Sequence, residues 1–89
     1  MNNQVRRYPQ IGLIYSHYKG GMYEPLFVST HSETGEELIN YKSIHFGTYH
    51  SRPLEMWFDK VEIELDNGDK GLVSRFYPHG QVESIQLLP

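Results

Sequence analysis

Short runs of alternating apolar and polar residues, separated by glycine-containing turns, make up most of this 89-residue chain. The clearest run lies at residues 61–66, where Val61, Ile63 and Leu65 alternate with acidic side chains. A period of two is typical of a strand with one buried face and one solvent-exposed face. No segment keeps a helical period over three turns. The pattern therefore predicts a mainly β protein.

Turn-forming residues divide the rest of the chain into further predicted strands. Tight turns are predicted at Gly20-Gly21, within "ETGEE" at Gly35, at Asn67-Gly68 as a two-residue hairpin, and at His79-Gly80. Strands are predicted over "QIGLIYSHYKGG", "MYEPLFVSTHS", "ELINYKSIHF", "KGLVSRFYP" and "QVESIQLLP". The stretch "GTYHSRP" is predicted to be a loop, because turn formers stand at both of its ends.

Individual residues sharpen these expectations. Pro25 has no N–H to donate, so it is expected at a strand start, an edge or a bulge. On the return strand, Ile39 and Tyr41 are predicted to face the core. Pro53 begins the stretch "PLEMWF", which is interpreted either as a single helical turn or as an irregular strand.

Together these elements predict a small SH3-like, partly open antiparallel β-barrel of about five to six strands, because a small sheet buries its edges by curling. Residues 1–10 are expected to be a flexible arm, and residues 11–89 a single domain. The final predicted strand, residues 81–88, leaves two alternatives open: it closes the barrel, or it pairs with a second copy to form a homodimer.

Charge and composition narrow the function. The net charge is −3; residues 1–50 carry four basic and four acidic side chains, so the acidic excess lies in residues 51–89. No basic stripe is present, which disfavours nonspecific binding to nucleic acid. There is no cysteine, and therefore no disulfide, thiol nucleophile or cysteine-ligated metal. Without an apolar run of roughly 20 residues or a signal-peptide pattern, the protein is expected to be cytoplasmic and not to contact a membrane.

The segment "YSHYKGGMYEPLFVSTHSETGEELINYKSI", followed by "RPLEMWFDKV", resembles the small bacterial domain of unknown function 1653. The shared features are H-Y-K-G at a strand end, a Y-E strand, H-S-E-T-x-E-E, a Y-[KR] strand and R-P-x-x-M-[FW]-F. The resemblance covers about residues 12–76 as a core and does not extend to the last strand. It implies a compact SH3-like β domain, and it implies no activity.

No recognisable catalytic or metal-binding motif is present, so no catalytic residue, metal or cofactor is predicted. The chain lacks G-x-S-x-G, P-loop and G-x-G-x-x-G patterns. No two histidines have the spacing of a metal-ligand pair. Serines that adjoin histidines in sequence, such as Ser16 beside His17, would face opposite sides of a strand.

Strand ends of a small barrel converge at a rim, where loops carry recognition. A ligand-binding pocket is therefore the sharper hypothesis, with Arg52 as a fork for an anion and aromatic rings as flat surfaces. The candidate binding residues are His17, Lys19, His31, Glu33, Tyr41, Arg52 and Trp57. In the structural alternative, Arg52 pairs with Glu33, His31 caps its turn, and the aromatic residues belong to the core.

Three functions follow from these residues. The first is a binding module for a protein, a peptide or a small anionic ligand, through a rim pocket near Arg52. The second is a nucleotide-binding or nucleic-acid-binding domain of the same shape, which the acidic balance disfavours. The third is a small enzyme that uses His17 or His31 as a base together with Glu33.

Overall fold

A computed structural model describes residues 8–81 and 84–89 and shows that the chain folds into antiparallel β-strands joined by short turns. The strands are β1 (Tyr15–His17), β2 (Met22–Thr30), β3 (Glu37–Ser43), β4 (Tyr49–Pro53), β5 (Lys60–Glu64), β6 (Lys70–Ser74), β7 (Phe76–Pro78) and β8 (Gln86–Leu87), with one 3-10 turn over Leu54–Met56. The prediction of a mainly β protein is confirmed. The described residues form eight short strands in place of the predicted five to six.

The strands form two sheets. The larger sheet has the order β4-β3-β2-β1-β7, and the smaller has the order β5-β6-β8. All pairs within the described residues are antiparallel. The sheets do not close into a barrel, so the open form of the predicted architecture is the one adopted, and the likeness to SH3 barrels stays a prediction.

The long hairpin of β2 and β3 forms the centre of the larger sheet. Its register shifts between Pro25 and Phe27, which places a β-bulge at the proline. This confirms one of the expectations for Pro25, and it explains how a residue without an N–H fits inside a central strand. Beyond the bulge, Phe27 points outward with 56% of its surface exposed.

Two segments depart from the sequence prediction for the same reason. "GTYHSRP" is not only a loop, because residues 49–53 form the edge strand β4 along β3, from Leu38 opposite Pro53 to Lys42 opposite Tyr49. The predicted strand "KGLVSRFYP" is two strands, since the chain leaves the smaller sheet at Ser74 and enters the larger one at Phe76. The alternation of apolar and polar residues predicts neither the pairing of an exposed edge strand nor the point at which the chain passes from one sheet to the other.

Smaller corrections concern lengths. The first strand covers only Tyr15–His17, after a turn at residues 11–12. The predicted two-residue hairpin at Asn67-Gly68 is a longer loop. The Leu65 N–H donates to the Asp69 carbonyl at 2.7 Å and closes it, and within the loop only Gly68 has a positive φ. The last predicted strand is reduced to Gln86–Leu87, which pairs with β6 in the same chain. Residues 82–83 of that prediction, and residues 1–7 of the predicted arm, lie outside the described residues.

The core is aromatic and lies on the inner face of the larger sheet. Ile39 and Tyr41 are buried there, as predicted. The 3-10 turn that follows Pro53 brings the indole of Trp57 over this face, where it stacks on Phe76 with ring centroids 4.0 Å apart. The core cluster comprises Tyr15, Ile39, Tyr41, Leu54, Trp57 and Phe76. Trp57 and Tyr41 therefore serve first as core residues.

Candidate functional site

A cleft of about 670 Å³ opens at one end of the larger sheet. Three segments enclose it: the β1–β2 turn (residues 18–21), the β3–β4 turn (residues 44–48) and the end of β7. We refer to it as the cleft. The polar residues that line it, besides Tyr23 and Tyr77, are Ser16, His17, Lys19, Ser43, His45 and His79.

The β1–β2 turn is shaped by the sequence "HYKGG". The Gly20 N–H donates to the His17 carbonyl at 2.8 Å, and the His17 N–H donates to the Gly21 carbonyl at 3.1 Å. Both glycines have positive φ, +105° and +89°, a conformation that side chains disfavour. The Lys19 N–H donates to the His17 Nδ1 at 3.1 Å, so the imidazole caps the turn. The turn therefore holds His17 and Lys19 at the cleft wall.

The β3–β4 turn is anchored by a buried serine. The Ser43 hydroxyl accepts the Phe46 N–H at 3.2 Å, and its carbonyl accepts the Gly47 N–H at 2.8 Å. The Ile44 N–H donates to the Met22 carbonyl at 2.9 Å, which fastens the turn to β2. This anchoring holds the phenyl ring of Phe46 at the rim of the cleft, with 76% of its surface exposed.

The end of β7 supplies a third histidine. The His79 Nδ1 lies 3.0 Å from the Ser16 hydroxyl oxygen, and the His79 N–H donates to the Ile14 carbonyl at 2.9 Å. The neighbouring histidine in sequence, His17, was rejected above as a partner for Ser16. The fold instead provides one 63 positions later.

The ionisable residues described in the cleft include basic side chains but no acidic ones. Among the described residues that line it there are three imidazoles and one ammonium group but no carboxylate. Partial burial lowers the pKa of His17, and the positive charges of Arg52, Arg75 and Lys19 lower it further. His17 is therefore a neutral imidazole in a positive field.

The two arginines behind His17 differ in their partners. Arg75 forms a paired contact with Asp59, at 2.6 Å from Nε and 3.2 Å from Nη2. The guanidinium of Arg52 instead lies over the Phe76 ring, 5.3 Å from its centroid. Its Nε and Nη1 are buried without a hydrogen-bond partner in the described part of the chain. Buried donors without acceptors are rare in folded proteins. Among the described residues, no carboxylate forms an ion pair with Arg52.

Phe76 connects three of the predicted site residues to the cleft. The His17 ring lies 4.9 Å from it, the Tyr41 ring 5.8 Å, and the Trp57 ring 4.0 Å, all between centroids. Burial raises the pKa of the Tyr41 phenol, which therefore stays protonated at neutral pH. Tyr41, Arg52 and Trp57 thus pack around Phe76, which contacts His17, and none of them lines the cleft.

The remaining predicted residues lie in the β2–β3 turn (residues 31–36). The His31 Nδ1 accepts the N–H groups of Glu33 and Thr34 at 3.2 Å and 3.3 Å, which is the capping role of the structural alternative. Glu33 is exposed. Within residues 8–81 and 84–89, no ion pair joins Glu33 to Arg52, so that part of the structural alternative is not found. A binding role for the predicted residues stays a prediction.

Sequence reasoning missed several residues of the cleft. Ser16, His45, Phe46 and His79 line it but were not proposed. A signal existed: His17, His45 and His79 each stand one to three positions before a turn glycine, and such residues lie at strand ends. His31 likewise stands four positions before Gly35, so the signal cannot tell which end of the sheet a histidine occupies.

No group of three or more histidine or acidic side chains among the described residues is arranged to hold a metal ion. No helix in the described part of the chain has the length and apolar character needed to cross a membrane.

Comparison with known proteins places the chain in one family. No curated protein and no solved structure matches it. The family model described as "Protein of unknown function (DUF1653)" matches residues 13–78, which is more than half of the chain and includes β1 to β7. The chain therefore belongs to the DUF1653 family of proteins of unknown function.

Proposed function

We propose that this domain is a binding module that takes a small anionic ligand in the cleft. One observation carries the proposal: the described lining holds His17, Lys19, His45 and His79 without a carboxylate. The chain has 11 acidic residues against 8 basic ones, so this segregation is opposite to its overall charge. A site that collects cationic and donor groups is suited to an anion.

The groups behind the cleft support the same ligand class. Arg52 adds a positive charge that pairs with no carboxylate of the described residues, and this charge lowers the pKa of His17. The charge of Arg75 is largely compensated by Asp59. An anion near His17 would therefore be attracted by the positive charge of Arg52. The bound anion would in turn favour protonation of the His17 imidazole. Anion binding should consequently tighten as the pH falls.

The proposal is tested by titrating the protein with inorganic phosphate at low ionic strength and following the backbone amide signals of the β1–β2 turn by NMR. We expect those signals to shift together with the histidine ring signals of the cleft. We expect Lys19→Ala to weaken binding about threefold, the order of one solvent-exposed charge contact. Added neutral salt should weaken binding in the same way.

Lys60→Ala is the matched control, because Lys60 is an exposed lysine on β5 outside the cleft. It should leave the affinity unchanged. The proposal is wrong if phosphate leaves the cleft signals in place, or if Lys60→Ala weakens binding as much as Lys19→Ala.

A further inference from the structure

We infer that the anionic ligand is a nucleoside monophosphate, with its phosphate beside His17 and Lys19 and its base on the ring of Phe46. The inference rests on the proposed function and names the ligand class of the same cleft. It joins the lining of Lys19 and histidines to the exposed aromatic rim, which anion binding alone does not use.

The first argument is the exposure of Phe46. Three quarters of its surface is open although the turn that carries it is fixed by Ser43. His45 contacts the ring edge-on, with centroids 4.7 Å apart and planes at 83°. Met22 and Ile44, also exposed, flank the same turn. An ordered apolar rim beside a polar cleft marks a surface that a ligand covers.

The second argument is that polar side chains and an aromatic ring lie on different segments of the cleft. His17 and Lys19 come from the β1–β2 turn, whereas Phe46 comes from the β3–β4 turn across from it. A nucleotide has the same division, since its phosphate is anionic and its base has a flat face. Bases stack on aromatic side chains, and phosphate binds cationic groups.

The third argument is size. A volume of about 670 Å³ lies within the range of small-molecule sites, which is roughly 300–1,000 Å³. A polymer would need cationic groups that continue along its backbone, and the chain has no basic stripe and a net charge of −3. The cleft therefore suits a single nucleotide rather than an extended strand.

The experiment compares three probes by isothermal titration calorimetry: adenosine monophosphate, adenosine and inorganic phosphate. Each probe is titrated into the unaltered protein, Phe46→Ala and Phe27→Ala. Phe27 is the matched control, because it is an exposed phenylalanine on β2 and does not line the cleft. Far-UV circular dichroism confirms that each variant is folded.

We expect the monophosphate to bind at least tenfold tighter than inorganic phosphate, the order of gain from one base–aromatic stack. Phe46→Ala should remove that advantage and leave the phosphate affinity unchanged, while Phe27→Ala should change neither. Adenosine alone should bind more weakly than the monophosphate.

Other outcomes separate this inference from the proposed function. If inorganic phosphate binds and the monophosphate binds no tighter, the ligand class is wrong while the anion site stands. The same conclusion follows if Phe46→Ala weakens both probes equally. If none of the three probes binds, the proposed function itself fails.

Discussion

Two histidines begin tight turns at opposite ends of strand β2, and the two turns use the same local chemistry. The His17 Nδ1 accepts the Lys19 N–H at 3.1 Å before the strand, and the His31 Nδ1 accepts the Glu33 N–H at 3.2 Å after it. A glycine with positive φ completes each turn, Gly21 at +89° and Gly35 at +76°. From the sequence the two segments look equivalent.

Their surroundings are different. His17 contacts the rings of Tyr18, Tyr23 and Phe76 at 4.8, 6.1 and 4.9 Å, and it lies in the field of Arg52. The turn that follows His31 is exposed and carries glutamates. The comparison shows that a capping histidine becomes part of a candidate site only where the fold adds burial and uncompensated positive charge.

The largest expected contrast is between the two turn glycines. A Cβ on Gly21 would lie 3.2 Å from the Tyr23 ring, whereas a Cβ on Gly35 would meet nothing within 4 Å. Positive φ alone costs an alanine about 1 kcal/mol, and displacing a packed ring adds about 2 kcal/mol. We expect Gly21→Ala to lower the free energy of unfolding by about 3 kcal/mol and Gly35→Ala by about 1 kcal/mol.

Urea unfolding of the two variants beside the unaltered protein measures this contrast. Tyr23→Phe is not an adequate control, because its ring would clash in the same way, so the double variant Gly21→Ala with Tyr23→Ala serves instead. Equal losses for the two single variants would show that the rings around His17 do not constrain its turn.

A smaller contrast is expected between the histidines themselves. His31→Ala removes hydrogen bonds that cap an exposed turn, which costs about 1 kcal/mol. His17→Ala removes a similar cap and also the contacts with three rings, so we expect a loss of about 2 kcal/mol.

Asparagine distinguishes the two contributions, because its side chain can also cap a turn. His31→Asn should recover most of the lost stability, and His17→Asn only part of it. Full recovery at position 17 would mean that ring contacts add nothing beyond the cap. The free energy of unfolding from urea titration is again the measurement.

The smallest expected effect is a dependence on pH. Because the pKa of His17 is lowered in the folded protein, the unfolded chain binds a proton more readily than the folded one. The contribution of His17 is therefore fully present above about pH 6.5 and is lost as the pH falls below it. Unfolding at pH 7.5 and pH 5.5, without phosphate, measures the difference.

His17→Asn keeps a cap for the Lys19 N–H and removes the titrating group, so it should reduce the loss of stability on acidification. His31→Asn is the control and should leave that loss in place. If His31→Asn reduces the loss of stability on acidification and His17→Asn does not, the pH dependence comes from the other end of β2 and this prediction is wrong.

Much of the fold could be predicted because its rules are local. Alternation placed Val61, Ile63 and Leu65 on a half-buried face, and Gly35 ended a hairpin as expected. The bulge at Pro25 follows from the missing N–H. The edge strand β4 and the change of sheet at Arg75 could not be read in this way, because each depends on a pairing partner far along the chain.

The candidate site was predicted in part. His17 and Lys19 do lie at a strand end that opens into a cleft, and the charge of Arg52 lowers the pKa of His17. His31 and Glu33 were grouped with them although the predicted strand "MYEPLFVSTHS" separates the two turns, and the nine residues of β2 place these turns at opposite ends of the sheet. Ser16 and His79 were missed because their contact spans 63 positions.

By itself, the sequence determined the β class, the positions of most turns, the restriction of Pro25 to a strand start, an edge or a bulge, and the inward faces of Ile39 and Tyr41. Each depends on the conformational limits of one residue or on a period of two. Only the tertiary structure decided which histidines lie in one cleft with Lys19, and that Arg52 lies near His17 without a carboxylate partner in the described part of the chain. Sheet pairing made those choices, because it joins residues by register and not by their distance along the chain.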